Sequence, residues 1–205
     1  VTGGHTQIWE VKSFGEYILH STSVDDAAGE AFDKGARILG LGYPGGPEIE
    51  KKAMGGDPNF IQFTIPKVKS NQLNFSFSGI KTAILYKIKS MKKKDIKNSF
   101  NDICASYQEV IIDTLIDRLK KNINLTRLKK ISITGGVAAN KRFRQKIEYI
   151  EKKNNLKCYF PELKYCTDNA AMIAKVGYYK SKYGIENSLN LQASPNLRLS
   201  HTHLK

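Results

Sequence analysis

One segment constrains this chain more than any other. The apolar run Lys130-Ile131-Ser132-Ile133 ends in Thr134-Gly135-Gly136-Val137-Ala138-Ala139-Asn140 and passes straight into a helix-like stretch. A strand that stops on two glycines and opens a helix presents bare backbone N–H groups to an anion at the helix start. A second glycine turn, Thr2-Gly3-Gly4-His5, lies far away in sequence, and a polar turn, Cys166-Thr167-Asp168-Asn169, follows later. Two glycine turns on opposite sides of a cleft could hold a nucleotide between them.

The rest of the chain supports strand–turn–helix units around a sheet, an α/β class. Gln7–Val11 and Tyr17–Thr22 alternate in strand fashion and read as part of an antiparallel meander. A helix is expected from about Asp25 to Leu39, started by a capping box at Ser23 and Asp26, with Ala28, Phe32, Ala36 and Leu39 on its apolar face. Tyr43-Pro44-Gly45-Gly46-Pro47 ends it. Further helices are expected near 48–54, over 78–91, over 94–122 with an apolar stripe from Phe100 to Leu119, over 139–153 and over 168–183. Residues 131–134 and 157–160 read as strands, and the tail after Gly184 as an extended or frayed arm.

Composition narrows the function. At 205 residues with 40% hydrophobic and 25% charged content, the chain is long enough to bury a sizeable core. No apolar run approaches the roughly 20 residues that span a bilayer, and the sequence shows no leader pattern at its start. Three cysteines, Cys104, Cys158 and Cys166, form no C-x-x-C pair, as expected of free thiols in a reducing cytoplasm. The net charge of +14 is clustered, notably in residues 89–94, 118–121, 127–130 and 141–146. Such a surface favours a polyanion, RNA being the natural candidate, although Lys and Asn are abundant throughout. Val1 stands one residue before a glycine turn, and a strand needs about five or six residues, so an upstream segment is expected.

Several residue patterns carry chemistry, each with a plainer alternative. Asn140 could bond a ribose or a purine edge, or simply sit at a helix N-terminus. Asp26, Glu30 and Asp33 share a helix face that could bind sugar hydroxyls or a cation, or be stabilised there by the helix dipole. Asp168 is a cap or a ligand for a metal. His5 could contact a phosphate or a reacting carbonyl, while His201 and His203 are discounted as ligands. Ser78-Gly79-Ile80-Lys81 matches S-x-x-K without its companion motifs, and G-x-S-x-G, H-E-x-x-H and Walker A patterns are missing.

Six stretches in order resemble one family: residues 1–7, Asp25–Lys34, Leu41–Pro47, Phe75–Thr82, Thr134–Asn140 and Cys166–Asn169. It is the universal tRNA threonylcarbamoyladenosine synthase family, also called the glycoprotease family, built on the actin/Hsp70/sugar-kinase fold. The resemblance implies the C-terminal, ribonuclease-H-like lobe over 1–205, with a mainly helical insertion at about 47–125 and the N-terminal lobe absent. It also implies a cytoplasmic transferase that moves a threonylcarbamoyl group from threonylcarbamoyl-adenylate to N6 of the adenosine 3′ of the anticodon. The tRNA anticodon loop and small partner proteins of the synthesis complex are the implied partners, with no membrane. By matching position, Thr2, Gly3 and Gly4 would line the adenylate with His5 close by. Asp33 would hold ribose hydroxyls, Gly46 would pack against the ligand, Gly135 and Gly136 would form the second turn, and Asn140 would contact the nucleoside. Asp168 would ligate one divalent metal, iron or zinc, whose other ligands belong to the N-terminal lobe. Lacking that lobe, residues 1–205 alone are expected to have little or no transferase activity. A non-catalytic nucleotide- or tRNA-binding module is the alternative, and a metallopeptidase is disfavoured for want of a protease constellation.

Overall fold

The computed structural model describes residues 1–186 together with Ser188, Asn190 and Gln192. Most of the expected tail arm, and the His201/His203 pair with it, lies outside the described residues.

The predicted meander is an antiparallel hairpin of β1 (Gln7–Ser13) and β2 (Glu16–Thr22). Helix α1 (Ala28–Ile38) follows, burying Ala28, Ala31, Phe32 and Ala36. It begins three residues later than the capping-box reading places it. Ser23 Oγ donates to the Asp26 carbonyl at 2.6 Å, and the cap comes from the other side of the hairpin. There the buried Thr6 Oγ1 accepts the Ala28 N–H at 2.9 Å. Asp25 turns away from α1 and starts a different helix. Its carboxylate accepts the N–H groups of Phe77 (2.7 Å) and Ser78 (3.3 Å) and both neighbouring hydroxyls, Ser76 and Ser78, at the head of α3 (Ser78–Ser90).

Helix α2 (Gly45–Ala53) precedes α3, and α4 (Lys93–Asn98) and α5 (Phe100–Thr126) follow it. The single helix expected over 94–122 is broken at Ser99, whose φ of −108° and ψ of 23° leave the helical region. Along α5, Ile103, Tyr107, Ile111 and Leu115 are buried as their spacing predicts, and the helix forms the middle of the core. The chain then makes a parallel strand–helix–strand unit: β3 (Lys130–Ser132), a 3-10 turn at Gly136–Ala139, α6 (Lys141–Asn154) and β4 (Lys157–Tyr159). Helix α7 (Ala170–Lys182) closes the described chain. The class is α/β.

The strands do not form one sheet. They form two ribbons, β1–β2 and β3–β4. Between β1 and β3 runs a groove of about 790 Å³, floored by Leu115, Leu119, Asn122 and Ile123 of α5. Asn122 donates to Ser21 Oγ and to the Arg118 carbonyl, while its buried Oδ1 has no partner among the described residues. No described helix is long and apolar enough to cross a membrane.

Candidate functional site

Val1 joins the two glycine turns. Its backbone nitrogen donates to the Thr134 carbonyl at 2.7 Å, and its carbonyl accepts the Val137 N–H at 3.2 Å. The first turn is closed by Thr2, whose N–H donates to the His5 carbonyl at 2.8 Å and whose Oγ1 accepts the His5 N–H at 2.9 Å. Two glycines make this junction possible. At Gly135, φ is 95°, and a Cβ there would lie 2.3 Å from the Val1 oxygen. At Gly29, a Cβ would lie 2.8 Å from Gly3 Cα, so its absence lets α1 pack against the first turn. The Gly29 N–H then donates to the Thr2 carbonyl at 3.2 Å. Both residues fall in family-like stretches, but neither stands out there as joining the turns, because nothing local marks a glycine in a helix as a contact for a distant turn.

The two turns therefore stand side by side on one wall, not facing each other across a cleft. The facing wall comes from the polar turn before α7. Thr2, Thr134 and Gly135 on one side, and Pro161, Tyr165 and Cys166–Asn169 on the other, enclose a cavity of about 420 Å³. That volume lies in the range of small-ligand sites. The backbone N–H groups of Gly3, Gly4, Gly135 and Gly136 have no hydrogen-bond partner among the described residues. Of these glycines Gly135 lines the cavity, beside Thr2, and an unpartnered amide there suits a phosphate or a developing oxyanion.

Asp168 lines this cavity with an exposed carboxylate that has no partner among the described residues. The helix cap, one of the two roles open to it in sequence, is taken by its neighbour: Asn169 Oδ1 accepts the Met172 N–H at 3.2 Å. Asp33 lies one turn along α1 from Gly29. It is half-buried, and its Oδ1 accepts the Gly45 N–H at 2.7 Å, which ties the start of α2 to the same edge. Gly46 sits beside Phe32, with only ordinary contact where a Cβ would be.

Other predicted residues are placed less freely. Asn140 is 6% exposed; its Oδ1 caps α6 through the Phe143 N–H (2.9 Å) and its Nδ2 donates to Gln108 (2.8 Å). His5 is exposed, with its backbone holding the turn. The acidic row of Asp26, Glu30 and Asp33 is not an open face, because Lys34 bridges Asp26 at 2.5 Å and Glu30 at 2.7 Å. The Lys34 hydrogen bond holds the Glu30 carboxyl below its usual range.

The basic stretch 141–146 is largely spent on packing. Arg142 pairs with Glu109 through both carboxylate oxygens, at 2.9 and 2.8 Å, and Lys146 pairs with Glu109 and Asp113. Burial raises the Glu109 carboxyl, but these two cations outweigh it and hold it below its usual range. Arg144 donates to the Ala138 and Pro161 carbonyls and lies 4.5 Å over the Phe160 ring. It thereby fixes the loop that leads to the cavity wall.

As a metal centre the described residues are incomplete. Among them no group of three or more His, Cys, Asp or Glu side chains could hold an ion. Cys166 is buried beside Arg144 and Glu162, and Cys104 is buried with its thiol pushed up to about 12 by burial. Asp168 offers one carboxylate, which does not make a tight site.

The cavity that Gly135 and the unpartnered Asp168 line belongs to a chain whose relatives are identifiable by sequence. The sequence model of the tRNA N6-adenosine threonylcarbamoyltransferase family matches residues 1–175, and the chain belongs to that family. Among similar proteins, all named tRNA N6-adenosine threonylcarbamoyltransferase, that of Thermosipho africanus is 47% identical over 97% of this chain and 60% of its own length. That of Fervidobacterium nodosum is 48% identical over 96% and 58%. That of Christiangramia forsetii is 49% identical over 88% and 53%. The chain thus spans less than two thirds of the length of these curated relatives.

Proposed function

We propose that this chain is the adenylate-holding lobe of a tRNA N6-adenosine threonylcarbamoyltransferase with an actin-like fold, in which about 47–125 is a helical insertion. The observation that carries the reading is the 420 Å³ cavity with Thr2 and Gly135 on one wall and the unpartnered Asp168 on the other. In this reading the substrate is threonylcarbamoyl-adenylate, with the tRNA anticodon loop as acceptor and small partner proteins in a cytoplasmic complex; the family name, a tRNA N6-adenosine threonylcarbamoyltransferase, supports it. A phosphate of the adenylate lies against the Gly3, Gly4, Gly135 and Gly136 amides, with His5 at the mouth. The free oxygen of Asp33 takes ribose hydroxyls, Gly46 packs on the ligand, and Asn140 serves the nucleoside from its Gln108-bonded position.

In the reaction, N6 of adenosine attacks the carbamoyl carbonyl of the mixed anhydride. A C–N bond forms, the C–O bond to phosphate breaks, AMP leaves, and the amine proton is lost to solvent or to phosphate. The carbonyl is already activated, and adenine N6 is a weak nucleophile. The chain's contribution is therefore orientation, together with amides aimed at developing negative charge. In this proposal Asp168 would be one ligand of an iron or zinc ion whose remaining donors lie beyond the described residues, and that ion would polarise or orient the carbamoyl carbonyl.

The test is nucleoside mass spectrometry of a tRNA reading an A-starting codon, after incubation with threonylcarbamoyl-adenylate and the protein as isolated from its own cells. Threonylcarbamoyladenosine is expected with wild type and at least a hundredfold less with Asp168→Ala. Undiminished transfer by the variant removes Asp168 from the site. Tight tRNA binding with no product favours a binding module instead.

A further inference from the structure

The structure separates the basic clusters by what their cations do. On α6, Arg142 and Lys146 are in ion pairs and Arg144 holds carbonyls. On α5, Arg118 is 1% exposed and donates to the Asn74 and Pro66 carbonyls, while Lys121 pairs with Asp117. Single exposed cations remain in the other clusters, such as Lys120, Arg127, Lys130 and Lys141, but the end of α3 and all of α4 gather many in one place. Lys87, Lys89, Lys92, Lys93, Lys94 and Lys97 are all exposed, and none has a partner among the described residues. Asp95 is the only acid within this run of residues. Tyr86, 67% exposed, stands beside them on α3.

The placement of α3 gives these lysines a direction. Its first turn is tied by Asp25 to the segment that leads into α1, and α1 packs through Gly29 on the Thr2–Gly3 turn. Buried Ile80 and Ile84 anchor that first half of the helix. Its thirteen residues then span about 20 Å, so the lysines sit at the end remote from the anchored turn. Six unpaired lysines held close together repel one another, an arrangement relieved by a polyanion laid across them.

We infer that the α3–α4 lysine ridge is the surface that holds tRNA backbone phosphates, gripping a helical arm of the tRNA while its anticodon loop reaches the glycine-turn cavity. This rests on the transferase reading and adds the docking face. The contacts are to phosphates, so they position the RNA without reading its sequence. An exposed tyrosine among lysines also offers a stacking face to an unpaired base.

The test measures binding of an unmodified tRNA transcript to the 205-residue chain by fluorescence anisotropy across a salt series. Three proteins are compared: wild type; a ridge variant with Lys89, Lys93, Lys94 and Lys97 changed to Ala; and a control with the equally exposed Lys67, Lys69, Lys120 and Lys152 changed to Ala. Circular dichroism melts confirm that each is folded. The ridge variant is expected to flatten the slope of log affinity against log salt by about 3, at roughly 0.7–0.9 for each phosphate that is no longer neutralised. The control is expected to change it by less than about 1.

Equal losses in the two variants would show diffuse charge attraction and overturn the ridge. An unchanged slope in the ridge variant, or no tRNA binding by wild type, would also overturn it; an acidic protein surface would then be the ridge's partner. The transferase reading is judged separately, by nucleoside analysis. A ridge that binds tRNA in a protein that makes no modified nucleoside would leave the docking face standing and the chemistry refuted.

Discussion

Thr6 and Asp25 show how single side chains tie this fold together across long stretches of sequence. Thr6 Oγ1 caps α1 from the far side of the hairpin, and Asp25 caps α3 from the turn before α1. Thr6→Ala should cost about 1 kcal/mol, a fall in Tm of about 2–4 °C for a chain of this size, with Thr6→Ser restoring most of it. A Tm unchanged by the alanine substitution would contradict the capping role. Asp25 also predicts a pH dependence. Burial raises its carboxyl, but the bonds from Ser76, Phe77 and Ser78 outweigh that and hold it below the usual carboxylate range. A depressed folded value means stabilisation that is full above the unfolded value and lost as the pH falls through the folded one. Wild type should therefore exceed Asp25→Ala in Tm at pH 7, and the gap should close as the pH drops below about 4. A gap independent of pH would mean that the charge does not matter. Both residues stand within family-like stretches, yet their partners could not be read from sequence. Capping patterns are local, whereas these caps come from 22 and 52 residues away.

At the scale of elements, the periodic segments were legible and the joints between them were not. The stripe on α5 and the strand–turn–helix around Gly135 lie where their spacing puts them, because burial of one face dictates both. The break at Ser99 and the later start of α1 depend on tertiary contacts instead. Helix α7 is weakly anchored for its length: none of its residues is buried, and Ile173 is 71% exposed. Its visible clasp is a stack in which the Phe14 ring, at the hairpin tip, lies 5.1 Å from Tyr179 and 5.6 Å from Tyr183. Phe14→Ala should speed amide hydrogen exchange over the second half of α7 by about tenfold while barely moving the global Tm. Unaltered exchange there would show that α7 is held by other contacts. Because α7 begins at the Asp168–Asn169 turn, its anchoring bears on one wall of the cavity.

For the whole molecule, the central claim is that two glycine turns and the turn before α7 converge on one ligand. The sequence made the turns visible as motifs. It could not show that Val1 clamps the two glycine turns side by side, or that Asn169 takes the cap and leaves Asp168 free, since both follow from how distant segments pack. The most direct test is a titration of the isotope-labelled 205-residue chain with a stable threonylcarbamoyl-adenylate analogue, followed by amide NMR. Shifts are predicted at Thr2, Gly3, Gly135, Gly136, Asp168 and Asn169, with those in α4 and at the end of α3 unmoved. Saturable binding that shifts other residues, such as those lining the β1–β3 groove, or no shift at the glycine turns, would contradict the claim.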